Sequence, residues 1–177
     1  FISPLQCKWM QVLKPALTYG MNSRQPEDWI MEMGPMGPIG EGESLILRVS
    51  RNCPWNQCLF CPAYKGRAFS TRNLHEIEAD IDAVRRTYEC LEKTSRDMGF
   101  GGCVNRAVFG EHIKRSPEVY GKYPYEVTKS QWKAFRTLNN VANWMTHGAR
   151  RVFLQDANAV SMKPTALLHV LEYLKKS

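Results

Sequence analysis

No uninterrupted apolar stretch in this sequence approaches the roughly 18 residues needed by a helix that crosses a bilayer, so no membrane-spanning helix is expected. The opening residues, FISPLQCKWMQVLKPALTYG, lack the charged-then-apolar order of a secretory signal, and a cytoplasmic protein without membrane association is expected. No internal repeat or low-complexity tract stands out, nor does a phosphate-cradling glycine loop, a Ser/His/Asp order or a paired-carboxylate motif. Lys and Arg never run beyond pairs despite a net charge of +7. The basic balance admits an anionic partner, whether nucleic acid, a phosphorylated metabolite or an acidic protein, but scattered charge is a weak nucleic-acid signal.

What is present is a chain of 177 residues with 44% hydrophobic and 23% charged residues, the composition of a globular protein able to bury one core. The first residue is Phe, and the last residues form an amphipathic pattern without a visible cap, so a fragment or a processed chain is expected. Residues 1–43 contain GPMGPIGEGE and read as an irregular N-terminal extension, with residues 44–177 forming the core domain.

SLILRVS at 44–50 suits a strand buried on both faces. From Asn73, the positions Leu74, Ile77, Ile81, Val84, Tyr88 and Leu91 step by three or four, and Asn73 with Glu76 resembles a capping box, so a helix is predicted to about Ser95. Residues 97–129 show no sustained period and read as a long loop with at most a short helix. A second helix is predicted from about Ser130 to His147, with Trp132, Phe135, Leu138, Val141 and Met145 on one face and Gly148 as the stop. RVFLQ at 151–155 reads as a second buried strand, DANAVSMK as a turn, and Pro164 as the start of a third helix. This order is the rhythm of an α/β fold with a parallel sheet or barrel, in which ligands collect where strands end.

Directly after the first strand comes RNCPWNQCLFCPAYKG, which places Cys53, Cys58 and Cys61 within nine residues. Thiolates this close can wrap one compact cofactor, zinc or an iron-sulfur cluster, and such a cluster of cysteines in a chain with no export signal favours metal over disulfides. Candidate fourth ligands are His75, Cys90 and Cys103. Cys90 reads as a packed small hydrophobe, Cys103 stays open, and Cys7 reads as incidental. If no fourth ligand arrives, a [4Fe-4S] cluster keeps one iron open to a chelating small molecule, whereas an electron carrier closes its cluster with four cysteines.

The run LRVSRNCPWNQCLFCPAYKG resembles the signature of the radical S-adenosylmethionine (SAM) superfamily, in which a strand ends in a loop with three cysteines and an aromatic residue just before the third, here Phe60. The common spacing there is C-x3-C-x2-C, and this sequence has one residue more between the first two cysteines. VFLQDANAVSMKPTALLHVLEYLKK is similar to the second strand, site turn and helix of proteins like oxygen-independent coproporphyrinogen oxidase; the usual glycines of that turn are absent, and Gln155, Asp156 and Asn158 stand there.

The resemblance implies a partial parallel (β/α) barrel, truncated after the second strand-helix unit, with the three cysteines holding a [4Fe-4S] cluster whose open iron chelates SAM. It implies that Phe60 packs near the adenine, that Asp156 pairs with the methionine ammonium, and that Asn158 assists. Lys65 and Arg67 are either solvated or offset charge at the cluster. The implied activity is reductive cleavage of SAM to a 5′-deoxyadenosyl radical that abstracts hydrogen from an unknown substrate, with an electron-donating partner such as flavodoxin or ferredoxin. The alternative from a different class is a zinc- or cluster-stabilised binding module, with nucleic acid as a candidate partner.

Overall fold

The computed structural model describes residues 25–177 apart from 36, 38 and 123. Cys7 and the first 24 residues of the expected extension therefore lie outside the described residues. After a 3-10 turn at Pro26–Trp29 come β1 (Leu45–Arg48), β2 (Ser50–Arg51), β3 (Ser70–Thr71), α1 (Leu74–Asp97), α2 (Arg106–Arg115), α3 (Pro117–Tyr120), α4 (Lys129–Thr146), β4 (Val152–Gln155) and α5 (Pro164–Lys176). Contacts gather these residues into two compact units, one of residues 31–82 and 151–177 and one of residues 25–30 and 83–150, with the boundary inside α1.

The first unit is mixed α/β. β1 and β4 pair in parallel, in register from Leu45↔Val152 to Arg48↔Gln155, and the ladder extends through Leu45 N–H to Arg151 C=O at 3.0 Å and Val49 N–H to Gln155 C=O. Parallel strands need a long crossover, and the chain supplies it between residues 51 and 152. Two expectations change. β1 is not buried on both faces: Leu45 and Leu47 are buried while Ile46 and Arg48 are half-buried, the alternation of a strand with one face less covered than the other. β4 is likewise not a buried strand, since Val152 is exposed and only Gln155 is buried, as suits a strand with one neighbour in a two-stranded sheet.

α1 begins as its sequence predicts: Asn73 Oδ1 accepts the His75 N–H at 3.0 Å and Glu76 Oε2 accepts the Asn73 N–H at 2.9 Å. Ile77 and Ile81 on its first half are buried. α5 lies along that half, with His169 Nε2 2.6 Å from Glu78 Oε1 and the Tyr173 hydroxyl donating to Asp82 Oδ1 at 3.1 Å.

The second unit is helical. The long loop expected over 97–129, with at most a short helix, carries two helices, α2 and α3. Both helices are too short to show a period, but each carries its own start: Asn105 Oδ1 caps the Val108 N–H at 2.9 Å, and Pro117 opens α3. Val108, Val119 and Tyr120 are buried, so packing rather than pattern makes these helices. α4 starts from a reciprocal box in which Thr128 Oγ1 accepts the Gln131 N–H at 3.2 Å and Gln131 Oε1 accepts the Thr128 N–H at 2.9 Å. It stops before Gly148, whose φ of 85° needs no Cβ. Leu138, Val141 and Met145 are buried as its stripe predicts, but Trp132 is exposed and stacks on the half-buried Phe135 at 5.6 Å. No helix among the described residues is long and apolar enough to cross a membrane.

His112 sits inside this unit, with Nδ1 3.2 Å from Thr94 Oγ1 and Nε2 3.3 Å from the Tyr120 hydroxyl. Burial, aided by the charge of Arg115, pushes its pKa down from 6.5 to about 4. Between about pH 4 and 6.5 the folded state thus holds a neutral ring where the unfolded chain holds a cation. The associated stability is fully present above pH 6.5 and declines as pH falls towards about 4. Urea melts across that range should show this slope in the parent and a flatter profile in His112→Gln.

Candidate metal and cofactor site

β2 pairs antiparallel with β3, Ser50 with Thr71 and Arg51 with Ser70, so the cysteine segment is a loop closed at its base by a short ribbon. Two asparagines make its bends. Asn52 and Asn56 have φ of 66° and 46°, the left-handed region that Asn tolerates better than most residues. Their amides tie the loop across: Asn52 Nδ2 donates to Ala68 C=O at 2.6 Å and Asn56 Nδ2 to Arg67 C=O at 2.9 Å. Lys65 Nζ lies 3.4 Å from the carbonyls of Gln57 and Cys58.

Cys53, Cys58 and Cys61 are half-buried free thiols in this loop. The Asn56 N–H donates to Cys53 Sγ at 3.5 Å, and Cys61 N–H reaches Cys58 C=O at 3.5 Å. Among the described residues no group of three or more His, Cys, Asp or Glu is gathered as a ready metal cage. The donor chemistry nonetheless fits a thiolate-ligated group. Three unpaired thiols share one loop, an amide points at one sulfur, and no Asp or Glu occurs between Asn52 and His75. Beside them Trp55, Leu59 and Phe60 are 65%, 95% and 88% exposed, so Phe60 presents an open ring face next to Cys61. His75 lies at the start of α1, and Cys90 is a half-buried free thiol in the helical unit whose pKa burial raises. Cys103 sits in the turn after α1, where its carbonyl accepts the Ser95 hydroxyl at 2.6 Å.

Asp156 follows β4 with its side chain 0% exposed. Its Oδ2 accepts Arg48 Nε at 2.9 Å, Arg48 Nη2 at 2.6 Å and the Asn52 N–H at 2.9 Å, and its Oδ1 accepts the Tyr64 hydroxyl. Burial first, and then the hydrogen bond and charge of Asp156, raise the Tyr64 pKa, so that hydroxyl stays a donor. Asn158 is exposed and caps the next turn, its Oδ1 accepting the Val160 N–H at 3.1 Å. Gln155 packs so close to Gly34 that a Cβ there would collide with its side-chain amide.

Behind Asp156 the charges continue. Arg48 Nη1 reaches Glu32 at 3.0 Å, Arg51 Nη2 bridges Glu32 at 2.5 Å and Glu76 at 2.8 Å, and Arg72 Nη1 meets Asp80 at 2.5 Å. For Glu32, burial works upward, but the hydrogen bond from Arg51 and the charges of Arg72, Arg51 and Arg48 outweigh it and hold the carboxyl below its usual value. Asp80 behaves oppositely, since burial raises it to about 6 against its pairing with Arg72.

Sequence reasoning singled out the cysteines and Asp156 but not Arg48, Glu32, Arg51 and Arg72, which make up the charge network behind that carboxylate. One signal was available: a charged residue inside an apolar strand run, as Arg48 is, must be paired when its strand is packed. Comparison with models of protein families, with curated proteins and with solved structures finds no match to this chain.

Removing the partner of a fully buried charge is far more damaging than removing the pair. Arg48→Met should destabilise the α/β unit by about 3–5 kcal/mol, and adding Asp156→Leu should recover much of that loss, read from denaturant midpoints.

Proposed function

We propose that this chain is a radical SAM protein, with Cys53, Cys58 and Cys61 as the three thiolate ligands of a [4Fe-4S] cluster. The carrying observation is the loop itself: three free thiols in one segment that leaves β1 at the end where the parallel neighbour β4 also ends. On this reading the β1-β4 pair belongs to a partial (β/α) barrel of the radical SAM type, and ligands meet where its strands end. When bound, the cluster supplies one electron to the sulfonium of SAM, giving methionine and a 5′-deoxyadenosyl radical that takes hydrogen from a substrate whose identity is open.

The chain's own residues bind, orient and shield. Cys53, Cys58 and Cys61 would hold the cluster, and with no fourth thiolate in the loop one iron would stay available to the amino and carboxylate groups of SAM. Phe60, exposed beside Cys61, offers a face for the adenine. Asn158 stands in the turn after β4, where it can reach a polar group of the ligand. Lys65 and Arg67 supply positive charge in a loop without carboxylates, which offsets thiolate charge and suits an acidic electron donor such as flavodoxin or ferredoxin. Thiolate ligation calls for a reducing compartment, hence a cytoplasmic setting.

A second reading has one observation of its own: the same basic loop exposes Trp55 and Phe60, a combination that suits stacking on nucleic-acid bases in a zinc-stabilised module. Anaerobic reconstitution with iron and sulfide followed by EPR separates the two. The radical SAM reading expects a reduced [4Fe-4S] signal that shifts on adding SAM and is absent from Cys58→Ala. Stoichiometric zinc without a cluster would sink it and promote the binding module.

A further inference from the structure

We infer that Asp156 is a positioning residue that closes the cysteine loop from both ends, rather than the ligand of an incoming ammonium group. An ionised carboxylate offers about four lone-pair directions. Asp156 already accepts four hydrogen bonds, from Arg48 Nε, Arg48 Nη2, the Asn52 N–H and the Tyr64 hydroxyl. Three of these bonds fall on Oδ2 and one on Oδ1, and with its side chain 0% exposed the carboxylate offers no solvent path by which an ammonium could reach it.

The choice of donors gives the positive argument. Asn52 immediately precedes Cys53, and Tyr64 follows Cys61 by three residues. One carboxylate at the end of β4 therefore holds the segment just before the first thiol and the segment just after the third. Arg48 is the base of this clamp: it approaches Asp156 through two nitrogens and is itself steadied by Glu32 at 3.0 Å. The ribbon of β2 and β3 closes the loop further back, at residues 50–51 and 70–71. Partners that orient metal ligands from behind matter nearly as much as the ligands, with losses of about 10–100-fold in metal affinity on mutation.

This inference rests on the triad binding metal but not on which metal group or which small molecule arrives. The test uses Tyr64→Phe, which removes one hydroxyl and leaves the buried Arg48-Asp156 pair intact, with Asp156→Asn as a second variant where circular dichroism shows it folded. Two measurements on the reduced, anaerobic chain are needed. One is the alkylation rate of each thiol by iodoacetamide, read by mass spectrometry with Cys90 as the internal control. The other is Co²⁺ titration followed by thiolate-to-metal charge-transfer absorption, with Cys58→Ala as its reference.

The clamp predicts faster alkylation of Cys53 and Cys61 in Tyr64→Phe with Cys90 unchanged, and Co²⁺ affinity lowered by about tenfold or more. Unchanged alkylation overturns it, as does a rise shared equally by Cys90, which would report general loosening of the fold. Parental Co²⁺ affinity in Tyr64→Phe overturns the positioning role even if alkylation changes. If the parent binds Co²⁺ no better than Cys58→Ala, the triad is not a metal site and the positioning role falls with it; the alkylation pattern then reports loop closure alone. If Co²⁺ behaves as predicted but the reconstituted protein ignores SAM, the clamp stands and the radical SAM reading fails.

Discussion

Burying an ionised carboxylate costs several kcal/mol unless its partners replace water almost completely, and the arrangement around Asp156 is best understood as the answer to that cost. The side chain is wholly buried at the end of β4. Its partners therefore had to come from whatever elements pack there, namely the last residue of β1, the backbone of Asn52 and the hydroxyl of Tyr64. The same condition binds the neighbours in turn. Arg48, half-buried in a strand otherwise made of apolar residues, is balanced by Asp156 and Glu32, and Glu32 in turn is shared with Arg51 and Arg72. A sheet of only two strands thus draws in the segment before β1, the cysteine loop, the turn after β4 and the start of α1.

The consequence for chemistry is rigidity at the ends of the loop and openness in its middle. Both flanks of the thiol segment are pinned by charge-assisted hydrogen bonds, which are shorter and stronger than neutral ones. Between the flanks the thiols are only half-buried, and Trp55, Leu59 and Phe60 stand in solvent. Apolar side chains left exposed beside potential ligands are what a site offers when a bulky cofactor, an aromatic ligand or a partner completes its surroundings. The opposite pKa displacements of Glu32 and Asp80 follow from the same network: the guanidinium groups around Glu32 outweigh its burial, and for Asp80 burial prevails over its one ion pair.

Much of the fold was legible from pattern alone, and the reasons are particular. α1 and α4 are long, so their apolar stripes repeat several times, and the Asn73 and Glu76 cap of α1 falls where its stripe begins, whereas the Thr128 and Gln131 box that starts α4 emerged only in the structure. α2 and α3 were not legible, because ten and four residues show too little of a helical period. They exist because Val108, His112, Val119 and Tyr120 are buried against the rest of the helical unit. β2 and β3 are two residues each, below any periodic signal, and only their pairing with one another marks them as strands.

The sequence by itself determined that three thiols lie in one loop after an apolar strand, because that is a matter of covalent spacing, and that a parallel α/β order surrounds it, because hydrophobic period is a local property. It also marked Asp156 as a residue of interest at the second strand's end. Only the tertiary structure decided what that carboxylate meets. Arg48 is 108 residues away along the chain and Tyr64 is 92, and no spacing rule links positions that far apart. Their meeting depends on β1 and β4 pairing in one register, which brings Gln155 beside Arg48 and so sets the next residue, Asp156, against the two ends of the cysteine loop.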